Sequence, residues 1–437
     1  MNTYSSYKDS GIEWIGEIPS EWNIVKTKYM TSPRKELSDS GKEELLSVSE
    51  YLGVIPRSLI RKGKGSLSRS ESLIGYLKVY KGDLVNNIML MWKKGLGVSQ
   101  YDGIVSPAYS VFNFIESVPS YYHYLYRTDR YITEFRKNST GVIMSRLRLY
   151  DDDFGDIPSV IPSLQEQQQI SDYLDYKTSK MDKLLEKTQQ KIELLKEQRI
   201  SLINTTVTKG LNPNVEMKDS GVEWIGKIPS EWNTISLRYY LIRVGSGSTP
   251  RGGGDVYSDN GIPFLRSQNV HFDGLHLEGV VFISEEIHQN MNNTIVKHGD
   301  VLLNITGGSI GRSCVVDTHE EMNVNQHVSI LRTKESLINF YLNYCLVSSI
   351  GQEQVDYNQT GGNREGLSSD NIKNFKFVLP PLQEQQQIVD YLDKETSKID
   401  KLVDIESKRI VLLKEYRQSL ISEVVTGKVD VRDEVLV

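Results

Sequence analysis

A chain of 437 residues is long for one hydrophobic core and predicts at least two. With 38% hydrophobic and 25% charged residues, a polar start (MNTYSSYKDSG) and no apolar run near the roughly 20 residues of a membrane helix, it reads as soluble and cytoplasmic. A net charge of −6 argues against a freestanding basic nucleic-acid binder, because phosphate contacts come from excess Lys and Arg; partners in a complex can supply them instead.

In chain order, the first marked feature is DSGIEWIGEIPSEWN, Asp9 to Asn23. It returns as DSGVEWIGKIPSEWN, Asp219 to Asn233, with 13 of 15 positions identical. Behind the first copy, short runs such as VFNFI alternate with Gly, Asn and Asp turns, which predicts a mixed α and β body. Within it, RSLIRKGKGSLSR carries Arg57, Arg61, Lys62, Lys64 and Arg69 without an acid, a pattern suited to phosphates. Lys93, Lys94, Arg146 and Arg148 are further candidates for DNA contact.

Residues 164–184, LQEQQQISDYLDYKTSKMDKL, open a predicted long helix. Pro162 stands just ahead, no Pro or Gly interrupts Gln165 to Thr206, and TKGLNPN ends the run. The second body follows, and its phrases RVGSGSTPRGGGD and IPFLRSQNV offer Ser248, Thr249, Arg251, Arg266, Gln268 and Asn269 among small residues. Arg matches the guanine edge, and Asn or Gln the adenine edge, in the major groove. Arg312, Asn325, Gln326, Asn363 and Arg364 complete the candidate DNA-binding set. From Leu382 the Gln-rich phrase repeats at 17 of 21 positions, with Pro380 and Pro381 before its helix and Gly427 after it.

Spacing of three and four puts Leu185, Ile192, Leu195, Arg199 and Leu202 on one stripe of the first helix, and Val403, Glu406, Ile410, Leu413 and Leu420 on the matching stripe of the second. Two like helices at the ends of two like domains predict antiparallel pairing about an approximate twofold axis. The expected register sets Leu185 against Leu420, Ile192 against Leu413, Arg199 against Glu406 and Thr188 against Arg417.

Catalytic chemistry is hard to find. GSGSTPRGGG lacks the Gly-Lys-Ser/Thr of a phosphate loop, and no GxGxxG opens a helix after a strand. His271 and His276 in HFDGLH lack further evident ligands, so no metal centre is expected. Cys314 and Cys345 lie in apolar stretches and read as reduced, buried thiols.

The phrases IGEIPSEW, GIPFLRSQN, GDVLLNITGGSIGR, VNQHVSILR and LPPLQEQQQIVDYLDKETSKIDKL resemble the specificity (S) subunit of type I restriction-modification systems, in that family's order and over nearly the whole chain. The resemblance implies two tandem α/β target-recognition domains, held apart by two long helices that pair as a pseudo-twofold antiparallel coiled coil. The expected divisions are 1–163 and 209–381 for the two domains, 164–208 and 382–427 for the spacer helices, and 428–437 for a tail. It also implies a non-catalytic subunit, each domain reading one half of an asymmetric bipartite site in double-stranded DNA. Two methyltransferase (M) subunits using S-adenosylmethionine would dock on the helices, and restriction (R) subunits would bring ATP and Mg; no cofactor belongs to this chain. Two other readings are a self-sufficient DNA methyltransferase or restriction enzyme, and a scaffold that never touches DNA.

Overall fold

The computed structural model describes residues 2–50, 52–60, 72–141, 143, 147–250, 252, 256–359 and 366–434. The chain makes two compact units, Met1–Thr188 with Lys408–Val437, and Gln189–Ser407. Among the described residues no helix is long and apolar enough to cross a membrane.

In the first unit β1 (Thr31–Pro33), β2 (Leu84–Asn87), β3 (Leu96–Val98) and β4 (Tyr109–Phe114) form an antiparallel sheet in the order β1-β4-β2-β3. After it comes α1 (Pro119–Tyr126), begun by a proline at its first position, where no backbone donor is missed. Its Tyr121, Tyr122 and Tyr126 are buried with Trp22 in the unit's aromatic core. Two of these hydroxyls find partners inside the core: Tyr126 bonds Ser159 at 2.9 Å, and Tyr121 donates to the Val425 carbonyl at 3.0 Å, whereas the Tyr122 hydroxyl has none. The long helix α2 (Leu164–Lys209) starts in this unit.

The second unit repeats the plan. Its β5 (Leu241–Ser246), β6 (Val301–Asn304), β7 (Ser313–Val315) and β8 (Val328–Thr333) pair in the order β5-β8-β6-β7, followed by α3 (Asn339–Val347) and the start of α4 (Leu382–Val425). A second sheet packs beside it, with Phe264 and Asn323 in parallel pairing; in the first unit Leu45 and Ile104 make the same parallel bridge.

The Gln-rich phrase fastens each body to its helix. Gln167 and Gln385 are each 1% exposed. The Gln167 side chain accepts from the Val118 N–H at 2.9 Å, just ahead of α1, and Gln385 accepts from Ile338 N–H at 2.9 Å, just ahead of α3. Each amide also donates back to a proline carbonyl, Pro162 at 2.9 Å and Pro380 at 3.0 Å. One buried side chain thus satisfies an orphan helix-start donor while holding its own helix in place. One residue earlier, Glu166 accepts from the Tyr4 hydroxyl at 2.7 Å and Glu384 from the Trp232 indole at 2.8 Å. In the second unit the Trp-Pro phrase therefore bonds the Gln-rich phrase, whereas in the first that bond comes from Tyr4, ahead of the phrase. Gly210 ends α2 at φ +73°, and a side chain there would meet the Trp232 ring at 3.0 Å, so glycine serves both the left-handed turn and the close approach.

Both helices run through both units, so the compact units divide inside them rather than at the helix starts Leu164 and Leu382. None of the ten candidate pairing residues is exposed. The register differs from the expected one. In the second unit Arg199 Nε lies 2.9 Å from Asp400 rather than facing Glu406, and Glu406 accepts from Lys191 at 2.5 Å. In the first, Arg417 Nε lies 3.3 Å from Asp182 rather than facing Thr188. The three pairs are displaced in the same sense, Arg199 and Arg417 by six residues and Glu406 by eight, which brackets one heptad. A seam that repeats every seven residues matches itself after such a slip, so its pattern fixes antiparallel phase but not absolute register.

In the first unit, the half-buried His123 packs its ring against Gly53 and Gly97 and accepts from the Val98 N–H at 3.2 Å. Burial, reinforced by Arg127 and Arg417, pushes its pKa down to about 3. The unfolded chain takes up a proton near pH 6.5 that the native ring refuses. Stability from this group is full above that pH and falls by at most about 1.4 kcal/mol per pH unit as pH drops toward 3. In urea titrations from pH 7 to 4, His123→Gln should flatten this loss; an unaltered slope would assign the acid sensitivity elsewhere.

Candidate nucleic-acid interface

In the second unit five backbone segments converge at one end of the sheets. The β6 end meets the 325–328 turn where Ile305 N–H donates to the His327 carbonyl at 3.0 Å, and Leu367 N–H donates to the Ile305 carbonyl at 2.8 Å. The Asn304 amide, fully buried, donates to the Ser267 carbonyl at 2.7 Å. Asn325 N–H reaches the Leu265 carbonyl at 3.0 Å, and the 246–248 segment closes the group through Gly247 N–H to Val328 at 3.0 Å. A Cβ on Gly247 would stand 1.9 Å from the Val324 carbonyl, so only glycine lets these segments touch.

Around this knot Ser248, Thr249, Gln268 and Gln326 are exposed. Arg266 is half-buried, and its Nε has no hydrogen-bond partner. Arg312 is half-buried at the base of the 306–311 turn. Two expected base-readers belong instead to the framework. Asn269 is 1% exposed, accepting from Arg266 N–H at 3.0 Å and donating to the His276 carbonyl at 2.8 Å. Asn325 is buried and accepts from the His327 N–H at 3.1 Å. A short amide replaces backbone partners inside tight turns, and here that use takes the groups a base would need. Arg251, Asn363 and Arg364 lie outside the described residues.

Residue-type reasoning missed Thr306 and His327, which join by a 2.6 Å bond between Oγ1 and Nδ1, and the exposed Gly307 and Gly308 beside them. Only the phrases NITGGSIGR and VNQHV hinted at them.

The first unit builds the same end with other residues. Leu149 N–H donates to the Ile88 carbonyl at 3.0 Å, in the place of Leu367 and Ile305. Met89 and Leu90, 40% and 42% exposed, occupy the tip that Thr306 and Gly307 form in the second unit. Arg57 and Arg148 are exposed. Lys93 is exposed with Nζ 4.9 Å over the Trp92 ring, whereas Lys94 is half-buried and paired to Asp129 at 2.8 Å. Arg61, Lys62, Lys64, Arg69 and Arg146 lie outside the described residues.

Neither cysteine is a poised nucleophile: Cys314 and Cys345, both in the second unit, are buried free thiols, and burial pushes each up to about 12.

Residues 229–415 match the type I restriction modification DNA specificity domain. Over 433 residues the chain is 22% identical to the type I restriction enzyme MjaVIII specificity subunit of Methanocaldococcus jannaschii, covering 95% of each chain. It is 23% identical to the EcoBI specificity subunit of Escherichia coli, over 61% of this chain and 57% of that one. Among solved structures, a chain of a type I R-M system matches with TM-score 0.65 at 18% identity, over 94% of this chain and 99% of that one. The HsdS subunit from Thermoanaerobacter tengcongensis matches with TM-score 0.51 at 17% identity, over 94% and 98%. These two structures establish the fold. Domain match, full-length relative and fold agree: residues 229–415 carry a type I restriction modification DNA specificity domain, and the chain is similar over nearly its whole length to type I restriction enzyme specificity subunits.

Proposed function

We propose that each unit reads one half of a bipartite DNA sequence with the loop cluster at the end of its sheets, while α2 and α4 set the separation and dock two methyltransferase subunits. The observation that carries this reading is a shared frame with different tips. Sheet order, the carbonyl at Ile88 or Ile305 and the glutamine fasteners repeat, whereas Met89-Leu90 stands where the other unit has Thr306-Gly307. Equal frames present two readers in equivalent ways, and unequal tips read unequal half-sites.

Two equivalent docking places are supported by Leu194 and Leu412, which stand 218 positions apart in the repeat, one in each unit. Each is 64% exposed on its helix. Adenine methylation and its S-adenosylmethionine would belong to the docked subunits.

Methylome sequencing of cells carrying this chain and its partner methyltransferase tests the reading. Replacing 237–375 with the body of another specificity subunit should change one half-site and keep the other. Arg266→Ala together with Gln268→Ala should weaken only the half-site of the second unit, by about 1–3 kcal/mol for each side chain that no longer pairs with a base. A motif unchanged by the exchange would sink the proposal, and S-adenosylmethionine binding by the pure chain would favour a self-sufficient methyltransferase.

A further inference from the structure

Just past the framework residue Asn269, a small hairpin gathers three potential ligands. Val270–His271 pairs with Gly274–Leu275, His271 opposite Gly274. The pairing continues one step outward, where His276 N–H donates to the Asn269 carbonyl at 2.9 Å. Asn269 returns a bond from its amide to the His276 carbonyl at 2.8 Å. Side chains alternate across a strand, so His271 and His276 stand on the same face as a diagonal pair. Gly274, opposite His271, puts no side chain between them. The two imidazoles lie with centroids 4.0 Å apart and planes 15° from parallel. Asp273, in the turn, places Oδ1 3.1 Å from Nε2 of His276. One ligand atom from each of the three lies within 4.8 Å of the others, and no other such group occurs among the described residues.

We propose that His271, Asp273 and His276 form a binding site for one divalent transition-metal ion of the zinc class. Two imidazoles and a carboxylate suit zinc, whereas magnesium prefers an octahedral set of oxygens. Zinc bonds of about 2.0–2.2 Å set tetrahedral ligands roughly 3.3 Å apart, close to the present His276–Asp273 separation, and a side-chain rotation brings His271 in. The outer contact also favours binding. Nε2 of His271 lies 2.9 Å from the Gln268 carbonyl, so that nitrogen carries the proton and Nδ1 keeps the lone pair. A backbone carbonyl that holds the other ring N–H fixes which nitrogen is free for the ion, and the ring's rotation completes the site. The nearby Cys314 thiol, kept protonated by burial, is outside the ligand group.

Three protein ligands leave a fourth position to water. The ion would cross-link the two strands of a hairpin only two residues wide on each side and so stiffen the loop that carries Gln268. The site stands whether or not Gln268 touches DNA, so its test is independent of the DNA-reading proposal.

The test uses the full chain freed of metal by chelation, then titrated with zinc chloride at pH 7.5 against a chromophoric chelator. The expected result is one zinc per chain, with affinity reduced at least tenfold in His276→Ala and in Asp273→Asn. His319→Ala should leave binding unchanged; it removes one ring of the other stacked pair, His298 with His319 at 4.2 Å, which belongs to no ligand group. Cobalt(II) should give a visible absorption band in the parent chain that His276→Ala abolishes. Circular dichroism and the milder His276→Gln variant, expected to fold and still bind weakly, guard against simple unfolding. No bound zinc, or equal loss in His276→Ala and His319→Ala, would overturn the proposal.

Discussion

Replacing Trp232 with alanine should destabilise the second unit by about 3–5 kcal/mol, the cost of emptying a large buried aromatic site. Trp232 is 1% exposed, packs at the end of α2 beside Gly210, and donates its indole N–H to Glu384 at 2.8 Å. Three repeated elements meet on this one ring: the Trp-Pro phrase, the terminal glycine of one long helix and the Gln-rich phrase of the other. Phenylalanine separates the contributions. Trp232→Phe keeps most of the apolar contact but strands the Glu384 carboxylate, adding about 1–3 kcal/mol for the donor that the charged group has lost. Trp22, its counterpart in the first unit, is fully buried, but its indole nitrogen has no hydrogen-bond partner. There Glu166 takes the Tyr4 hydroxyl instead. Trp22→Phe should therefore cost less than Trp232→Phe, as read by hydrogen exchange resolved to each unit. Equal losses would mean that the indole–carboxylate bond contributes nothing net.

The sequence displayed the frame more openly than the fastenings. Proline before and glycine after an unbroken run located both long helices, which start at Leu164 and Leu382. Repeat spacing also revealed that the halves share one plan. What Gln167 and Gln385 do was not legible, because their partners Val118 and Ile338 lie 49 and 47 residues away and are backbone groups, which leave no signature of their own. The helix register was hidden by the heptad, which looks the same after a slip of seven. A third case is the aspartate shared by KGDLVNN and HGDVLLN. Asp83 takes its cation from Arg34, just after β1, and Asp300 from Arg332 within β8, at 2.7 Å in both. The buried carboxylate is repeated, but its partner comes from a different strand of the sheet. Asn269 and Asn325 show the complementary limit. Residue chemistry marked them as able to meet adenine, and burial decided otherwise.

Adding one heptad to both long helices should lengthen the unread gap in the methylated sequence by about three base pairs, with both half-sites unchanged. α2 leaves the first unit and enters the second, and α4 makes the return passage, so both must grow together. Seven residues at 1.5 Å each add about 10 Å, against 3.4 Å per base pair. The seam repeats every seven residues, so the insertion renews every apolar layer and leaves the ion pairs Arg199–Asp400 and Arg417–Asp182 intact on either side of junctions placed after Thr188 and Ser407. A heptad in one helix alone breaks this balance: the seam can pair again only by slipping, and slipping pulls one end away from its glutamine fastener. That variant should lose stability and methylation together. The paired insertion separates a ruler from a mere tether, because a tether tolerates the longer helices with its gap unchanged, and methylome sequencing reports the gap length directly.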